Sequence, residues 1–282
     1  MPSFPPLVFE SYGPAEAPTI VFLHGGGAGA WMWQPVIQHL PDYHCLTFDQ
    51  PEHGRNRAIA PFSVALAAEL TAGLIRQQAP DGAACVVGLS EGAQVAVQLL
   101  ADAPDCVSRA VISSALLRPI PGLGWVSSPA LLKWSYRLSI PPFKNSDGWI
   151  RLNMRSAAGI PEAYFPQFKQ DFQAITEAEF VNLMLANQRY RLPAGLERAA
   201  APVLALAGRH EYPAMQQSVR DLVAALPQAT GGWINLGPGS TLASEHNWAL
   251  TTPEHFAATV RAWLEGQPLP DVIERFPEHA RN

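Results

Sequence analysis

The stretch "CVVGLSEGAQVAV", residues 85–97, decides the fold of this chain. Its apolar run is interrupted at Ser90, which has a glycine two positions away on either side, Gly88 and Gly92. Apolar residues then continue at helical spacing, which predicts a strand that leads directly into a helix. A serine at such a break is a turn residue, a helix cap, or a nucleophile held on a sharp strand-to-helix turn.

Short apolar runs alternate with helical periods along most of the chain. The predicted strands are residues 19–23, 45–48, 84–89, 109–113, 202–207 and 233–236, and the predicted helices are 63–78, 92–100, 215–226 and 254–264. Fully apolar runs of this length are typical of parallel strands that are buried on both faces. We therefore expect an α/β fold, with a mostly parallel central sheet and helices on both of its faces.

The segment 116–200 does not follow this alternation. It is rich in proline and aromatic residues, and residues 129–138 and 177–190 have helical periods. At roughly 85 residues it is far too long for an ordinary connection. We expect a helical cap, or lid, inserted into a core that is formed by residues 1–115 and 201–282.

Composition limits the classes of function and partner. The chain of 282 residues is 48% hydrophobic and 15% charged, which suits a large buried sheet. Its net charge of −5 argues against a nucleic-acid partner, and it has no run of basic residues to suit a membrane surface. We expect a monomer or homodimer whose partner is a small molecule.

Cysteine usage and the N-terminal sequence bear on location and cofactors. Cys45, Cys85 and Cys106 lack CxxC spacing and are expected to be buried free thiols. The first eight residues lack the pattern of a secretory signal, so a cytoplasmic location is expected. Because the chain has neither metal-ligand spacing nor a dinucleotide fingerprint, we expect no cofactor and no metal.

Four groups of polar or glycine residues follow predicted strands. In an open parallel sheet, ligands bind beyond the carboxyl ends of the strands, so these groups are expected to meet. In chain order they are a glycine-rich loop, a serine, a carboxylate and a histidine: residues 24–27 (HGGG), Ser90, Glu211 in 208–211 (GRHE), and His246 in 244–247 (SEHN).

These motifs resemble those of esterase-like serine hydrolases of the α/β-hydrolase fold with a helical cap, over residues 7–264. The run Gly88-x-Ser90-x-Gly92 is similar to the nucleophile elbow of that family. Residues 49–54 (DQPEHG) resemble its D-x-P-G-H-G loop, with Glu52 in place of a glycine. Residues 24–33 resemble its oxyanion loop, in a spacing similar to that of plant methyl-esterases and hydroxynitrile lyases.

The resemblance implies a catalytic triad of Ser90 as nucleophile, His246 as base and Glu211 as acid. Relatives usually carry aspartate at the position of Glu211, but a carboxylate that is one methylene longer can still orient the imidazole. His210, beside the acid, is the rival base. The backbone N–H groups of Gly26 and Glu91 are the implied oxyanion donors.

The resemblance also points to a substrate pocket. We expect Gly25, Gly27, Trp31 and Trp248 to line it, and we expect a small to medium hydrophobic ester as the substrate. The side chain of Glu91 is expected to disfavour anionic substrates as a carboxylate beside this pocket.

Two alternative functions stay open at this stage. The same residues could serve a carbon–carbon bond hydrolase or a lyase, although Asn247 replaces the lysine that hydroxynitrile lyases carry after the catalytic histidine. A non-catalytic small-molecule binder on a hydrolase scaffold is the other alternative. A serine at position 90, rather than the aspartate of haloalkane dehalogenases and epoxide hydrolases, argues against those two chemistries.

Overall fold

A computed structural model describes residues 5–120, 122, 128–156 and 159–276. The rest of the predicted core (1–4 and 277–282) and of the predicted cap (121, 123–127 and 157–158) lies outside this description. Within the described ranges, eight strands form one sheet in the order β1-β3-β2-β4-β5-β6-β7-β8. The strands are β1 (Phe9–Tyr12), β2 (Thr19–Leu23), β3 (His44–Phe48), β4 (Ala84–Leu89), β5 (Val107–Ser113), β6 (Val203–Gly208), β7 (Ala229–Ile234) and β8 (Ile273–Arg275).

The central strands are parallel, and only the edge strands β1 and β8 pair antiparallel to their neighbours. This confirms the predicted α/β fold with a mostly parallel sheet. The helices of the core are α1 (Gln34–Ile37), α2 (Val64–Gln78), α3 (Glu91–Asp102), α8 (Pro213–Ala225), α9 (Leu242–His246), α10 (Trp248–Thr251) and α11 (Pro253–Glu265). Within the predicted cap lie α4 (Pro129–Ser139), α5 (Asp147–Ser156), α6 (Phe165–Ala174) and α7 (Glu177–Arg189).

The sheet buries apolar side chains on both faces. Val21 and Leu23 of β2 pack into one apolar cluster, together with residues of α2, α3 and α8. Ile20 and Phe22 of the same strand pack into a second cluster, with residues of α1 and α11. Successive side chains of a strand point to opposite faces, so the fully apolar run of β2 is explained by helices on both sides of the sheet.

One predicted strand is displaced along the sequence. Residues 233–236 were expected to form it, whereas β7 spans Ala229–Ile234. Gly231 and Gly232 lie in this strand at positions where a side chain would have little room. A Cβ on Gly231 would lie 2.6 Å from the ring of Phe276, and one on Gly232 would lie 3.2 Å from the carbonyl oxygen of Glu274. Glycines that allow close packing therefore interrupt the apolar run in the sequence, and the predicted strand began only after them.

Two further observations concern composition. No helix in the described part of the chain is both long enough and apolar enough to cross a membrane. The three cysteines are buried and form no disulfide.

The junction between β4 and α3 fixes the position of Ser90. The strand ends at Leu89, the helix begins at Glu91, and Ser90 adopts φ 57° and ψ −114° between them. A Cβ on Gly92 would lie 2.1 Å from the carbonyl oxygen of Leu23, and one on Gly88 would lie 2.4 Å from the carbonyl oxygen of Gly92. The two flanking glycines therefore allow the start of α3 to pack directly against the end of β2.

Substitution of Gly92 by alanine is expected to destabilise the fold. Because the clash of the new methyl group would be with backbone atoms, Gly92→Ala should lower the free energy of unfolding by about 3 kcal/mol. Chemical denaturation monitored by circular dichroism measures this change.

The matched control is Gly73→Ala in the middle of α2, where a Cβ would meet no atom within 4 Å. This variant should be stabilised by about 0.5–1 kcal/mol, because alanine favours the helix. Equal stability of Gly92→Ala and the native chain would contradict the close-packing explanation.

Candidate active site

Ser90 occupies the N-cap position of α3 on a strained turn, but its side chain does not cap the helix. Its positive φ is uncommon for a residue with a side chain, and its hydroxyl makes no capping hydrogen bond to α3. The turn is held by the backbone, since the N–H of Ser90 donates to the carbonyl oxygen of Ser113 at 2.9 Å. Backbone strain of this kind is typical of functional sites, and it favours a nucleophile over a structural cap.

His246 and Glu211 form a hydrogen-bonded pair beyond the ends of the strands. The Nδ1 atom of His246, at the end of α9, lies 2.5 Å from Oε1 of Glu211. Glu211 is buried, and its other oxygen, Oε2, accepts the backbone N–H of Gly208 at 2.9 Å. Both carboxylate oxygens are thus used, so the imidazole is fixed through Nδ1 and Nε2 is the ring nitrogen that remains to act on a neighbour.

The four polar groups predicted to meet do converge. A cavity of about 130 Å³ has both Ser90 and His246 in its wall. Gly25 and Gly27 lie in the same wall, and a Cβ on Gly25 would lie 3.4 Å from Cβ of Ser90. The complete lining is Gly25, Gly26, Gly27, Ala28, Met32, Leu89, Ser90, Ile160, Phe168, His246 and Asn247.

Buried polar residues hold the glycine-rich loop in place. The backbone N–H of Gln50 donates to Nε2 of His24 at 2.8 Å, so the other ring nitrogen, Nδ1, donates to the carbonyl oxygen of Gly25, also at 2.8 Å. Burial lowers the pKa of His24, in keeping with this neutral form. Asp49 accepts the backbone N–H of Ala30 at 2.8 Å. Residues 24–33 are therefore anchored to residues 49–54.

The side chain of Glu91 was expected to be a carboxylate beside the pocket, but its surroundings in the structure are different. It is fully buried, and neither of its carboxyl oxygens has a hydrogen-bond partner among the described residues. Burial raises the pKa of Glu91 well above its usual range. Burial therefore favours the neutral carboxyl group over the carboxylate, which weighs against the expected repulsion of anionic substrates.

Glu245 was missed by the sequence analysis. It is fully buried and binds the rival base, since its oxygens lie 2.8 Å from the backbone N and from Nδ1 of His210. A Cβ on Gly208 would lie 2.7 Å from this carboxylate, so glycine is required there. Two adjacent residues of the loop after β6, His210 and Glu211, thus pair with two adjacent residues at the end of α9, Glu245 and His246. The one sign of this pairing in the sequence is that an acidic residue stands next to a histidine in both "RHE" and "SEH".

A second, larger cavity of about 340 Å³ adjoins the first through Gly26, Gly27 and Phe168. Polar contacts between the predicted cap and the core surround it: the amide of Asn182 donates to Glu52 at 3.0 Å, and Arg57 pairs with Glu179 at 2.8 Å. Its full lining is Gly26, Gly27, Glu52, His53, Gly54, Arg57, Ser139, Ile140, Asn153, Phe168, Asp171, Phe172, Ile175, Glu179, Phe180 and Leu183.

The two tryptophans predicted to line the pocket lie elsewhere. Trp248 is fully buried in the core, where its ring packs at a tilt against that of Phe256 and its indole N–H donates to the hydroxyl of Ser113 at 3.0 Å. Trp31 lies behind the wall of the larger cavity and donates to Asp171 at 2.7 Å. The indole N–H of each tryptophan therefore already has a partner within the protein.

The chain belongs to the alpha/beta hydrolase fold family, because the sequence profile of that family matches residues 18–232. This confirms the resemblance stated from the motifs. The matched region contains Ser90 and Glu211 and ends before His246. Within the described residues, no group of three or more histidine, cysteine, aspartate or glutamate side chains is placed to hold a metal ion.

Individual relatives are similar to this chain over different lengths. Esterase Rv0045c of Mycobacterium tuberculosis is 42% identical over 99 residues, which cover 34% of this chain and only a third (33%) of that protein. An AB hydrolase superfamily protein of Gibberella zeae is 25% identical over 277 residues, 96% of this chain and 88% of that one. The crystal structure of the enol-lactonase from Burkholderia xenovorans LB400 has the same fold, with a TM-score of 0.70, 19% identity and coverage of 92% and 96%.

Asp171 should make stability depend on pH. Burial raises the pKa of Asp171 to about 6, against the lowering effect of the hydrogen bond from Trp31. The unfolded carboxyl group loses its proton near the ordinary value of 3.8. Between these pH values the unfolded state binds fewer protons, so stability falls as pH rises. Asp171→Asn should gain on the order of 2 kcal/mol over the native chain across this window.

Urea denaturation at pH values from 4 to 7 measures this difference. Asp81→Asn, at an exposed loop position, is the matched control and should follow the native chain throughout. If the difference between Asp171→Asn and the native chain is the same at every pH, the buried-acid explanation is wrong.

Proposed function

We propose that the chain is a serine hydrolase that cleaves carboxylic esters with small to medium hydrophobic groups through an acyl-enzyme. Ser90 is the nucleophile, His246 the base and Glu211 the acid. One observation carries the proposal: the 2.5 Å contact between His246 and Glu211 lies beside a cavity whose wall also holds Ser90 on its strained turn.

The proposed reaction has two halves. Nε2 of His246 accepts the hydroxyl proton of Ser90 as the serine oxygen attacks the ester carbonyl carbon. The tetrahedral intermediate collapses, the bond to the alcohol oxygen breaks, and the alcohol leaves with the proton from His246. Water then gives a proton to His246 and attacks the acyl group, and the serine oxygen regains that proton as the carboxylic acid departs.

Glu211 supports both halves without itself reacting. Its Oε1 fixes Nδ1 of His246 in the protonated tautomer and stabilises the imidazolium that forms when Nε2 takes a proton. The backbone N–H of Gly208 fixes its second oxygen. This double attachment explains how glutamate serves where relatives usually have aspartate.

The oxyanion donors are proposed to be the backbone N–H groups of Gly26 and Glu91. Gly26 belongs to a loop whose shape is held by His24, and Glu91 is the first residue of α3. Preformed donors of this kind stabilise the charge that develops on the carbonyl oxygen in the transition state.

The substrate class follows from the larger cavity. Its 340 Å³ suits a group of modest size, and apolar side chains such as Phe168, Phe172 and Leu183 line much of it. We propose that this cavity takes the acyl or alcohol group of the ester. We further propose that residues 116–200 act as a cap, because α6 and α7 supply much of the cavity wall.

The nucleophile can be tested directly with a fluorophosphonate probe and intact-mass analysis. The native chain should gain one adduct on Ser90 and hydrolyse members of a panel of simple esters. Ser90→Ala should gain none, and His246→Ala should react about 10³-fold or more slowly, because the serine has lost its base.

Well-folded native protein that gains no adduct and hydrolyses no ester would refute the serine-hydrolase proposal and favour a non-catalytic binder. An adduct on Ser90 combined with activity only on vinylogous 1,5-diketones would favour the carbon–carbon bond hydrolase instead.

The role of Glu211 is tested by two substitutions of different size. Glu211→Gln keeps the shape but removes the charge, so kcat for a simple ester should fall by about 10²–10⁴. Glu211→Asp, the usual residue of the family, should retain more activity than Glu211→Gln because it keeps the carboxylate. If the glutamine variant is as fast as the native chain, Glu211 is not the acid of the triad.

A further inference from the structure

The carboxyl group of Glu91 lies against the proposed oxyanion loop. A Cβ on Gly26 would be 3.1 Å from Oε2 of Glu91 and 3.0 Å from a methyl carbon of Leu183. The carboxyl group therefore lies close to the backbone of Gly26, beside an apolar side chain of α7. It has no contact with solvent and accepts no hydrogen bond from a described residue.

Among the described residues, no cation pairs with the carboxyl group of Glu91. On the loops, the histidines His24 and His53 are buried, and burial lowers the pKa of each, so both are neutral. From α7, Glu179 faces the larger cavity and is paired with Arg57.

The other ionisable groups that the described residues place at the cavities also have partners within the protein, including Asp171, which accepts the indole N–H of Trp31. The carboxylate of Glu52 accepts the amide of Asn182, and His246 binds Glu211. None of these groups shifts the pKa of Glu91, which is raised by burial alone.

We propose that Glu91, as a neutral acid, keeps the oxyanion hole free of negative charge, and that its ionisation at alkaline pH switches hydrolysis off. The side chain of Glu91 has a positioning role here, distinct from that of its backbone N–H, since the carboxyl group acts through the electric field at Gly26 and touches no reacting atom. The inference rests on the proposed function.

The physical reason is the repulsion of like charges. Ester hydrolysis places a negative charge near the N–H groups of Gly26 and Glu91 in the transition state. When solvent hydroxide removes the proton of Glu91 and forms water, a second, unscreened negative charge lies beside the same loop. In a dry site, such a charge opposes the oxyanion far more strongly than it would in water. A neutral carboxyl group carries no such penalty, and glutamate is tolerated there only in that form.

The test compares kcat/KM for a simple ester from pH 6 to 10 in three proteins. The native chain should show an alkaline limb in which the rate falls about tenfold per pH unit. Glu91→Gln, which has the same shape and no proton to lose, should stay on the plateau. Glu69→Gln, at an exposed position on α2, is the matched control and should keep the alkaline limb.

Glu91→Met serves if the glutamine variant does not fold, because it is also uncharged and suits the apolar surroundings. It should likewise lack the alkaline limb. An alkaline limb that is the same in the native chain and in both Glu91 variants would overturn the inference while leaving the proposed function intact. A native chain that is inert at every pH and gains no fluorophosphonate adduct would overturn both.

Stability gives a readout that does not need catalysis. An unfolded glutamate loses its proton near pH 4.5, whereas the buried Glu91 keeps it. The native chain should therefore lose stability relative to Glu91→Gln as pH rises above this value. A stability difference that does not change with pH would show that Glu91 ionises normally, and the inference would fail.

Discussion

The close approach of α3 to β2 is the constraint on which the rest of the structure depends. Where Gly92 passes Leu23, there is no room even for a methyl group. This contact lets the helix start immediately after β4 and forces Ser90 into a conformation that side-chain-bearing residues seldom adopt. The packing of many apolar residues on both sheet faces supplies the stability that holds this one unfavourable turn.

The site is assembled at one edge of the sheet because parallel strands all deliver their loops there. Two glutamates illustrate how surroundings decide what a residue does. Glu211 receives a backbone N–H and contacts an imidazole, and it is proposed to act as a fixed anion. Glu91 receives no hydrogen bond from a described residue, so burial raises the pKa of the same carboxyl group and favours its neutral form.

Much of the architecture could be predicted from periodicity and motifs. The central strands, α2, and the order of loop, serine, acid and histidine all follow from local sequence. The edge strands β1 and β8 were missed because they are short and only partly buried, so they lack a continuous apolar run. The predicted bounds of β7 were wrong for a different reason: the glycines in this strand are explained only by tertiary packing.

The site was less predictable than the fold for a physical reason. Which residue types occur near the catalytic motifs is visible in the sequence, but the direction in which each side chain points is not. Trp248 was expected in the pocket and lies in the core, while Glu245 was overlooked and binds His210. Glu91 was expected to be a carboxylate beside the pocket, and the burial that raises its pKa could not be seen in the sequence.

The proposed mechanism requires Ser90 to carry the acyl group during turnover. The most direct measurement mixes the native chain with an activated ester, quenches with acid within the first turnover, and locates the acyl group by peptide mass mapping. We expect one acyl group per chain, on the peptide that contains Ser90, and none in Ser90→Ala. Ester turnover with no acylated protein, or an acyl group on another residue, would contradict the proposed mechanism.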